Sequence, residues 1–305
     1  MSFDLASVLS ELRQRVDARL RESLGLLRNS PQVLQEAVAY SLLSPGKRLR
    51  PLLTILACEA CGGTIENSLK AACAVEMVHT YSLVHDDLPA MDDDDLRRGQ
   101  PTCHKKFGEA LAILVGDTLL TLAFELVASS YPPATATMMC RELAAASGGT
   151  GMVGGQVEDL TWEGKIPGRS GSCTIDDLEA IHAKKTGALF RASLKLGLYA
   201  AQGERNGGPD RKTTECLDEF GRNFGLLFQV TDDLLDAAGD AEVAGKRVGK
   251  DAAKGKPTYP GLMGVDQSRR FAEILAERAE SALRPLGAAA TPLTALARSI
   301  VARDR

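Results

Sequence analysis

The stretch HDDLPAMDDDDLRRGQP, His85 to Pro101, places six aspartates in its first eleven residues and then two arginines, Arg97 and Arg98. A second acidic stretch, FQVTDDLLD, sets Asp232, Asp233 and Asp236 at DDxxD spacing in the second half of the chain. A single acidic run is usually a solvated face. Here each run continues an apolar segment, VEMVHTYSLVHDDL in one case and GLLFQVTDDLLD in the other, so something must offset the repulsion. Carboxylate-only ligation suits a hard cation, and Mg²⁺ takes one or two carboxylates while water and substrate phosphate complete its octahedron. Calcium storage is the other metal use of such residues, but no EF-hand spacing is present.

Spacing sharpens this. Asp232 and Asp236 are four apart, so on a helix they differ by about 40° around the axis and about 6 Å along it. Asp86 and Asp92 are six apart, about 120° around an ideal helix, and cannot share its face. Pro89 resolves this, because it disfavours helical geometry at Leu88 and removes a backbone donor. The chain is expected to loop there and bring Asp92 back beside Asp86.

Basic residues stand where a phosphate would need them. SPGKRLRP sets Lys47, Arg48 and Arg50 just ahead of a helix whose expected first residue is Pro51, and helix N-termini favour anions. Arg97 and Arg98 follow the first acidic motif, Lys184 and Lys185 lie in IHAKKTG, and Lys246, Lys250, Lys254 and Lys256 follow the second motif. Singly, each is an ordinary surface charge; their placement around two acidic helices points to a phosphate ligand.

The elements that must position these groups read as helices. Leu5, Val8, Leu9, Leu12, Val16, Leu20, Leu24 and Leu27 recur at steps of three and four, the mark of an amphipathic helix that Pro31 closes. The same pattern recurs over 33–43, 52–60, 69–88, 107–128, 134–146, 175–201, 213–237 and 268–283, and a last short helix opens at Thr291 with Pro292. Thr174 with Asp177 forms a capping-box variant ahead of the 175–201 segment. No sustained period of two bounded by hairpin turns occurs, so the fold class is all-α, a single helical domain over residues 1–305.

Composition bounds the function. The chain of 305 residues is 44% hydrophobic and 25% charged with a net charge of -4, which excludes general nucleic-acid binding. The richest apolar run, ALAILVGDTLLTLAFELVA, is interrupted by Asp117 and Glu125, so no membrane span is expected. MSFDLASVLSELRQR lacks a basic segment before an apolar one, and seven scattered cysteines fit free thiols, so the expected compartment is the cytoplasm. Cys58 and Cys61 form a CxxC inside LLTILACEAC with no second pair, and read as small buried hydrophobes.

The joint occurrence of GKRLRP, DDLPAMDDDDLRRG, KTG, FQVTDDLLD and GKPTYP resembles the trans-prenyltransferases of the polyprenyl diphosphate synthase family, most closely the bacterial farnesyl diphosphate synthases. The likeness runs from SPGKRLRP to KGKPTYP with a compatible helix before it. It implies a homodimeric all-α isoprenoid-synthase bundle whose central cavity carries the acidic motifs on opposite walls. It implies Mg²⁺ ligation by Asp86, Asp92 and Asp232, supported by Asp87, Asp233 and Asp236. It implies isopentenyl diphosphate held by Lys47, Arg50, His79 and Arg98, and an allylic diphosphate held by Arg97, Lys185 and Lys256, with Thr186 and Gln229 near the carbocation. Lys246 and Lys250 compete with Lys256 for that last contact.

The resemblance further implies that an aromatic at Tyr81, five residues before Asp86, together with the two-residue expansion containing Pro89, goes with a fifteen-carbon product. Geranylgeranyl diphosphate synthesis is the first alternative. A class I terpene cyclase would replace the second DDxxD and lack GKRLRP, and a silent regulatory subunit would have lost motif residues. WEGKIPGRSGSCTIDD and QGERNGGPDR look longer than the family's usual connections.

Overall fold

The computed structural model describes residues 4–168, 171–238 and 257–302. The helices are α1 (Leu5–Ser23), α2 (Gln32–Leu42), α3 (Leu49–Ala60), α4 (Ile65–Asp86), α5 (Cys103–Phe107), α6 (Glu109–Ser130), α7 (Pro133–Ser147), α8 (Met152–Trp162), α9 (Ile175–His182), α10 (Ala188–Gln202), α11 (Arg211–Ala238), α12 (Tyr259–Met263), α13 (Val265–Leu283) and α14 (Thr291–Val301). A π-helical turn, Ala183–Gly187, joins α9 to α10 without a break. The fold is all-α; among the described residues the sole sheet is a hairpin of two-residue strands, β1 (Leu96–Arg97) and β2 (Gln100–Pro101).

The chain divides into two compact units, residues 1–141 with 196–208, and residues 142–195 with 209–305. In the first, α4 packs along α6 and α3. Of α1, Leu9, Leu12, Val16 and Leu20 are buried, the stripe that the three-and-four spacing requires. Thr64 caps α4 with a full capping box: its side chain accepts from the Asn67 N–H and Asn67 Oδ1 accepts from the Thr64 N–H. In the second unit, α11 packs along α13, and Phe190, Phe220 and Phe224 are fully buried, with ring centroids 5.3 Å apart for Phe190 and Phe224. The Thr174–Asp177 capping box opens α9 as expected.

Three features depart from the sequence reading. Helix α8 has no counterpart in it, because Gly151, Gly154 and Gly155 weaken any helical signal. Gly155 is there for space: a Cβ would lie 2.3 Å from the Lys185 backbone nitrogen. The hairpin also went unforeseen. Arg98 (φ 54°) and Gly99 (φ 77°) supply the two positive φ values that a two-residue hairpin loop needs. Finally, α6 is by length and composition apolar enough to cross a bilayer despite Asp117 and Glu125. Its Ala112, Val115, Gly116, Leu119, Leu122, Ala123, Leu126 and Val127 are buried, as in a core helix.

Candidate active site

Helix α4 ends at Asp86, and the turn through Pro89 doubles back. The Asp92 N–H donates to the Asp86 carbonyl at 2.8 Å and the Asp94 N–H to that of Asp87 at 3.3 Å, so Asp92 stands beside Asp86. Asp87 is buried. It accepts from Arg97 Nε at 2.8 and 2.9 Å and from Arg97 Nη2 at 2.6 Å. Burial raises the Asp87 carboxyl above its ordinary value while Arg97 pulls the other way. Asp87, expected among the metal-supporting carboxylates, is thus placed as the holder of Arg97, joining the acidic motif to the basic residues that follow it.

Those basic residues gather around His79, about two thirds of the way along α4. Burial first, then the charges of Arg50, Arg98, Arg97 and Arg48, push the His79 imidazole well below its ordinary value, so it is neutral. Burial also lowers Arg50 to about 10, against the pull of Glu76, so it stays charged at neutral pH. Arg98 Nη1 donates to the Pro45 carbonyl at 2.7 Å, and a Cβ on Gly46 would sit 2.3 Å from that same nitrogen. GKRLRP and LRRG are therefore in contact. Lys47 is exposed. The reading of Arg48 as one more phosphate-facing cation needs correction: its guanidinium is buried on Asp17, Glu76 and the Ser44 carbonyl.

In the second unit, Asp232, Asp233 and Asp236 all lie on α11, so Asp232 and Asp236 share the face that i, i+4 spacing assigns. Asp232 is half-buried and Asp236 buried. Asp233 faces elsewhere, its Oδ2 accepting from the Tyr259 N–H at 3.0 Å at the start of α12. Thr186 Oγ1 donates to Gln229 Oε1 at 2.9 Å, pairing the two residues expected near a carbocation. Lys185 Nζ lies 2.5 Å from the buried Asp159 Oδ2 and Lys184 Nζ 2.5 Å from Glu158 Oε1. The lysines sit in the π-helical turn, an irregularity that recurs at functional sites. Lys246, Lys250 and Lys256 lie outside the described residues.

Tyr81 is 6% exposed, and its ring meets His85 edge-on at 5.8 Å. His85 Nε2 is 3.1 Å from the Ile113 carbonyl oxygen, and a Cβ on Gly116 would strike the same ring, so this face of α4 looks at α6. Cys58 is buried and its thiol pushed up to about 11, in keeping with a small buried hydrophobe; Cys61 is half-buried.

Among the described residues no three His, Cys, Asp or Glu side chains converge as a ready-made metal cage. The donor set nonetheless fits Mg²⁺, which needs only one or two carboxylates and takes its remaining oxygens from water and phosphate. Asp86 with Asp92, and Asp232 with Asp236, offer that number of hard oxygen donors. Asp17 and Glu76 escaped the sequence reading. Glu76 had a signal, a lone carboxylate inside the apolar run AACAVEMV of α4, and it is 2% exposed; Asp17 had none.

An all-α fold with two carboxylate-rich helix ends and an arginine cluster around a neutral histidine suits an enzyme that binds an anionic substrate. The polyprenyl synthetase family matches residues 31–285, and the chain belongs to it. Over 309 residues it is 46% identical to geranylgeranyl pyrophosphate synthase 11, chloroplastic, of Arabidopsis thaliana, covering 99% of this chain and 83% of that one. It is 43% identical to the chloroplastic geranylgeranyl pyrophosphate synthase of Capsicum annuum, covering 99% and 79%. Among solved structures it is similar to an FPP/GFPP synthase from Zymomonas mobilis (TM-score 0.84, 35% identity, 97% and 98% covered). A geranyltransferase from Legionella pneumophila is similar too (TM-score 0.85, 34% identity, 98% and 97% covered). The chain is a prenyltransferase of isoprenoid-synthase fold.

Proposed function

We propose that the protein joins isopentenyl diphosphate head-to-tail (1'-4) to an allylic diphosphate with Mg²⁺. The observation that carries this is the Asp87–Arg97 pair, which ties the Asp86–Asp92 turn directly to the arginine cluster around His79. One stretch of chain thereby offers both metal-binding carboxylates and diphosphate-binding cations. Mg²⁺ would supply Lewis-acid neutralisation of the leaving diphosphate, with Asp86 and Asp92 as the candidate ligands of the first unit and Asp232 and Asp236 as those of the second.

The allylic C–O bond breaks with its electron pair on the diphosphate, and Arg97 and Lys185 balance that charge. The double bond of isopentenyl diphosphate attacks the cation at C1, and the proton at C2 of the isopentenyl unit passes to the released diphosphate, its C–H electron pair forming the new double bond. Neutral His79 donates a hydrogen bond without adding charge, while Lys47, Arg50 and Arg98 hold the isopentenyl diphosphate. Thr186 and Gln229 turn oxygen dipoles toward the cation.

For product length, the full-length similarity to proteins named geranylgeranyl pyrophosphate synthases supports a twenty-carbon product as the first reading. Farnesyl diphosphate is the second, favoured by the buried ring of Tyr81 and by likeness to an FPP/GFPP synthase. We further propose one polyprenyl synthase domain over residues 1–305, a cytoplasmic location from the free cysteines, and a homodimer, supported by the exposed Ile113 and Leu114 on α6.

The test is incubation of purified protein with Mg²⁺, isopentenyl diphosphate and, separately, dimethylallyl, geranyl and farnesyl diphosphate, with products dephosphorylated and resolved by length. Geranylgeraniol as the main product supports the first reading, and farnesol with farnesyl diphosphate unused supports the second. No product from any starter refutes the proposal.

A further inference from the structure

Arg48 stands between Lys47 and Arg50, yet its guanidinium turns inward. Its side chain is 3% exposed and donates from all three nitrogens: Nε to Asp17 Oδ1 at 2.9 Å, Nη1 to Glu76 Oε1 at 2.8 Å and Nη2 to the Ser44 carbonyl at 3.0 Å. Its backbone is left-handed (φ 49°, ψ 34°) at the N-cap of α3, where no side-chain cap bond is made. L-residues other than Asn, Asp or Gly rarely adopt that conformation.

The contrast with Arg98 is informative. Arg98 is also left-handed, but a two-residue hairpin imposes it. No hairpin encloses Arg48. What holds its backbone is its own side chain, fastened at three points to α1, to α4 and to the turn it belongs to. Backbone kept in a sparsely populated region by such over-determination collects at ligand clamps.

Glu76 is the inner anchor. It lies three residues before His79 on α4 and is 2% exposed, and its charge acts on Arg48, Arg50 and Arg98. A buried carboxylate there lets several guanidinium groups crowd one neutral imidazole before any anion arrives.

We propose that Arg48, anchored by Glu76 and Asp17, is a positioning residue that presets the 44–50 turn so that Lys47 and Arg50 meet a diphosphate in their binding geometry. This rests on the reading of Lys47, Arg50, His79 and Arg98 as the isopentenyl diphosphate site. Preorganisation of this kind reduces the ordering that binding otherwise requires.

The test is steady-state kinetics with each substrate varied in turn. Arg48→Ala is expected to raise KM for isopentenyl diphosphate about tenfold while KM for the allylic diphosphate and kcat stay within about twofold. Arg48→Gly recovers part of that loss, since glycine adopts a positive φ without strain, whereas Arg48→Lys, which keeps the charge but not the planar fork, behaves like Arg48→Ala. A merely structural role would lower the thermal midpoint and the active fraction without changing the ratio of the two KM values.

Because removing one member of a buried pair can prevent folding, Arg48→Met/Glu76→Gln is measured alongside, and the same shift in KM ratio is expected from it. An isopentenyl KM within twofold of wild type in both Arg48→Ala and the double variant overturns the proposal. Arg50→Gln separates the two levels. If it raises that KM while the Arg48 variants do not, only the positioning role is lost; if it too has no effect, the reading of the site falls with it.

Discussion

Replacing Tyr81 with methionine tests how product length is set. Tyr81 lies five residues before Asp86 on one continuous helix, about 7.5 Å along the axis from its acidic end. Its ring is buried, packed edge-on against His85, and burial pushes its phenol up to about 12, so it is a neutral group at assay pH. One isoprene unit adds four backbone bonds, about 5 Å at about 1.5 Å per bond allowing for zigzag, which is close to the reach of a phenol ring beyond Cβ. Methionine fills much of that volume with a flexible thioether, so the substitution costs about 1–3 kcal/mol of stability, less than truncation to alanine.

The expected result is a main product one five-carbon unit longer than wild type, with kcat for the first condensation little changed. The assay is radiolabelled isopentenyl diphosphate incorporation at saturating starter, followed by chain-length separation. Because the expectation concerns the difference, it holds whether the wild-type product has fifteen or twenty carbons. An unchanged distribution from a fully folded variant would refute the role of the ring as a floor.

Asp232→Ala should lower kcat by at least about a hundredfold with the far-ultraviolet circular dichroism unaltered, since it removes an expected metal ligand from a half-buried helix face; near-normal turnover contradicts its metal role. Gly155→Ala drives a Cβ to 2.3 Å from the Lys185 nitrogen and 2.7 Å from its Cα, so α8 and the π-helical turn must separate. A loss of about 1–3 kcal/mol in denaturant unfolding together with a raised allylic KM is expected, and wild-type values for both would show that the turn tolerates displacement.

Burial works to raise Asp218, but the hydrogen bonds and charges of Arg191 and Lys195 outweigh it and leave its carboxyl below the ordinary 3.8. Its stabilising contribution is therefore complete above that value and drains away as pH falls through the depressed one. Asp218→Asn should accordingly lower Tm at pH 7, and the difference should narrow progressively as the pH is taken below 3.8, by thermal melts across an acid series; a Tm gap that stays unchanged throughout the series is the contrary outcome.

Much of the site was legible in order along the chain. Three-and-four spacing of leucines located most helices, because burial of one face is a local, periodic demand. Pro89 foretold the return of Asp92 to Asp86, since a missing donor and a forbidden α region act on adjacent residues whatever surrounds them. Thr174 and Asp177 foretold a helix start for the same reason. Helix α8 was hidden, because its glycines answer to the backbone of Lys185, thirty residues on, and not to helix propensity.

Charge type and spacing by themselves determined the all-helical frame and pointed to a divalent cation and a diphosphate as its ligands. They did not determine which charges face a ligand. Arg48 and Arg50 are two residues apart and chemically identical, yet only the tertiary structure buries one on Asp17 and Glu76 and leaves the other beside His79. Asp86 and Asp87 are neighbours, yet one closes the aspartate turn through its carbonyl and the other locks Arg97. Partner choice among like charges depends on what distant segments bring within about 3 Å, where a hydrogen bond forms, and sequence order carries no record of that distance.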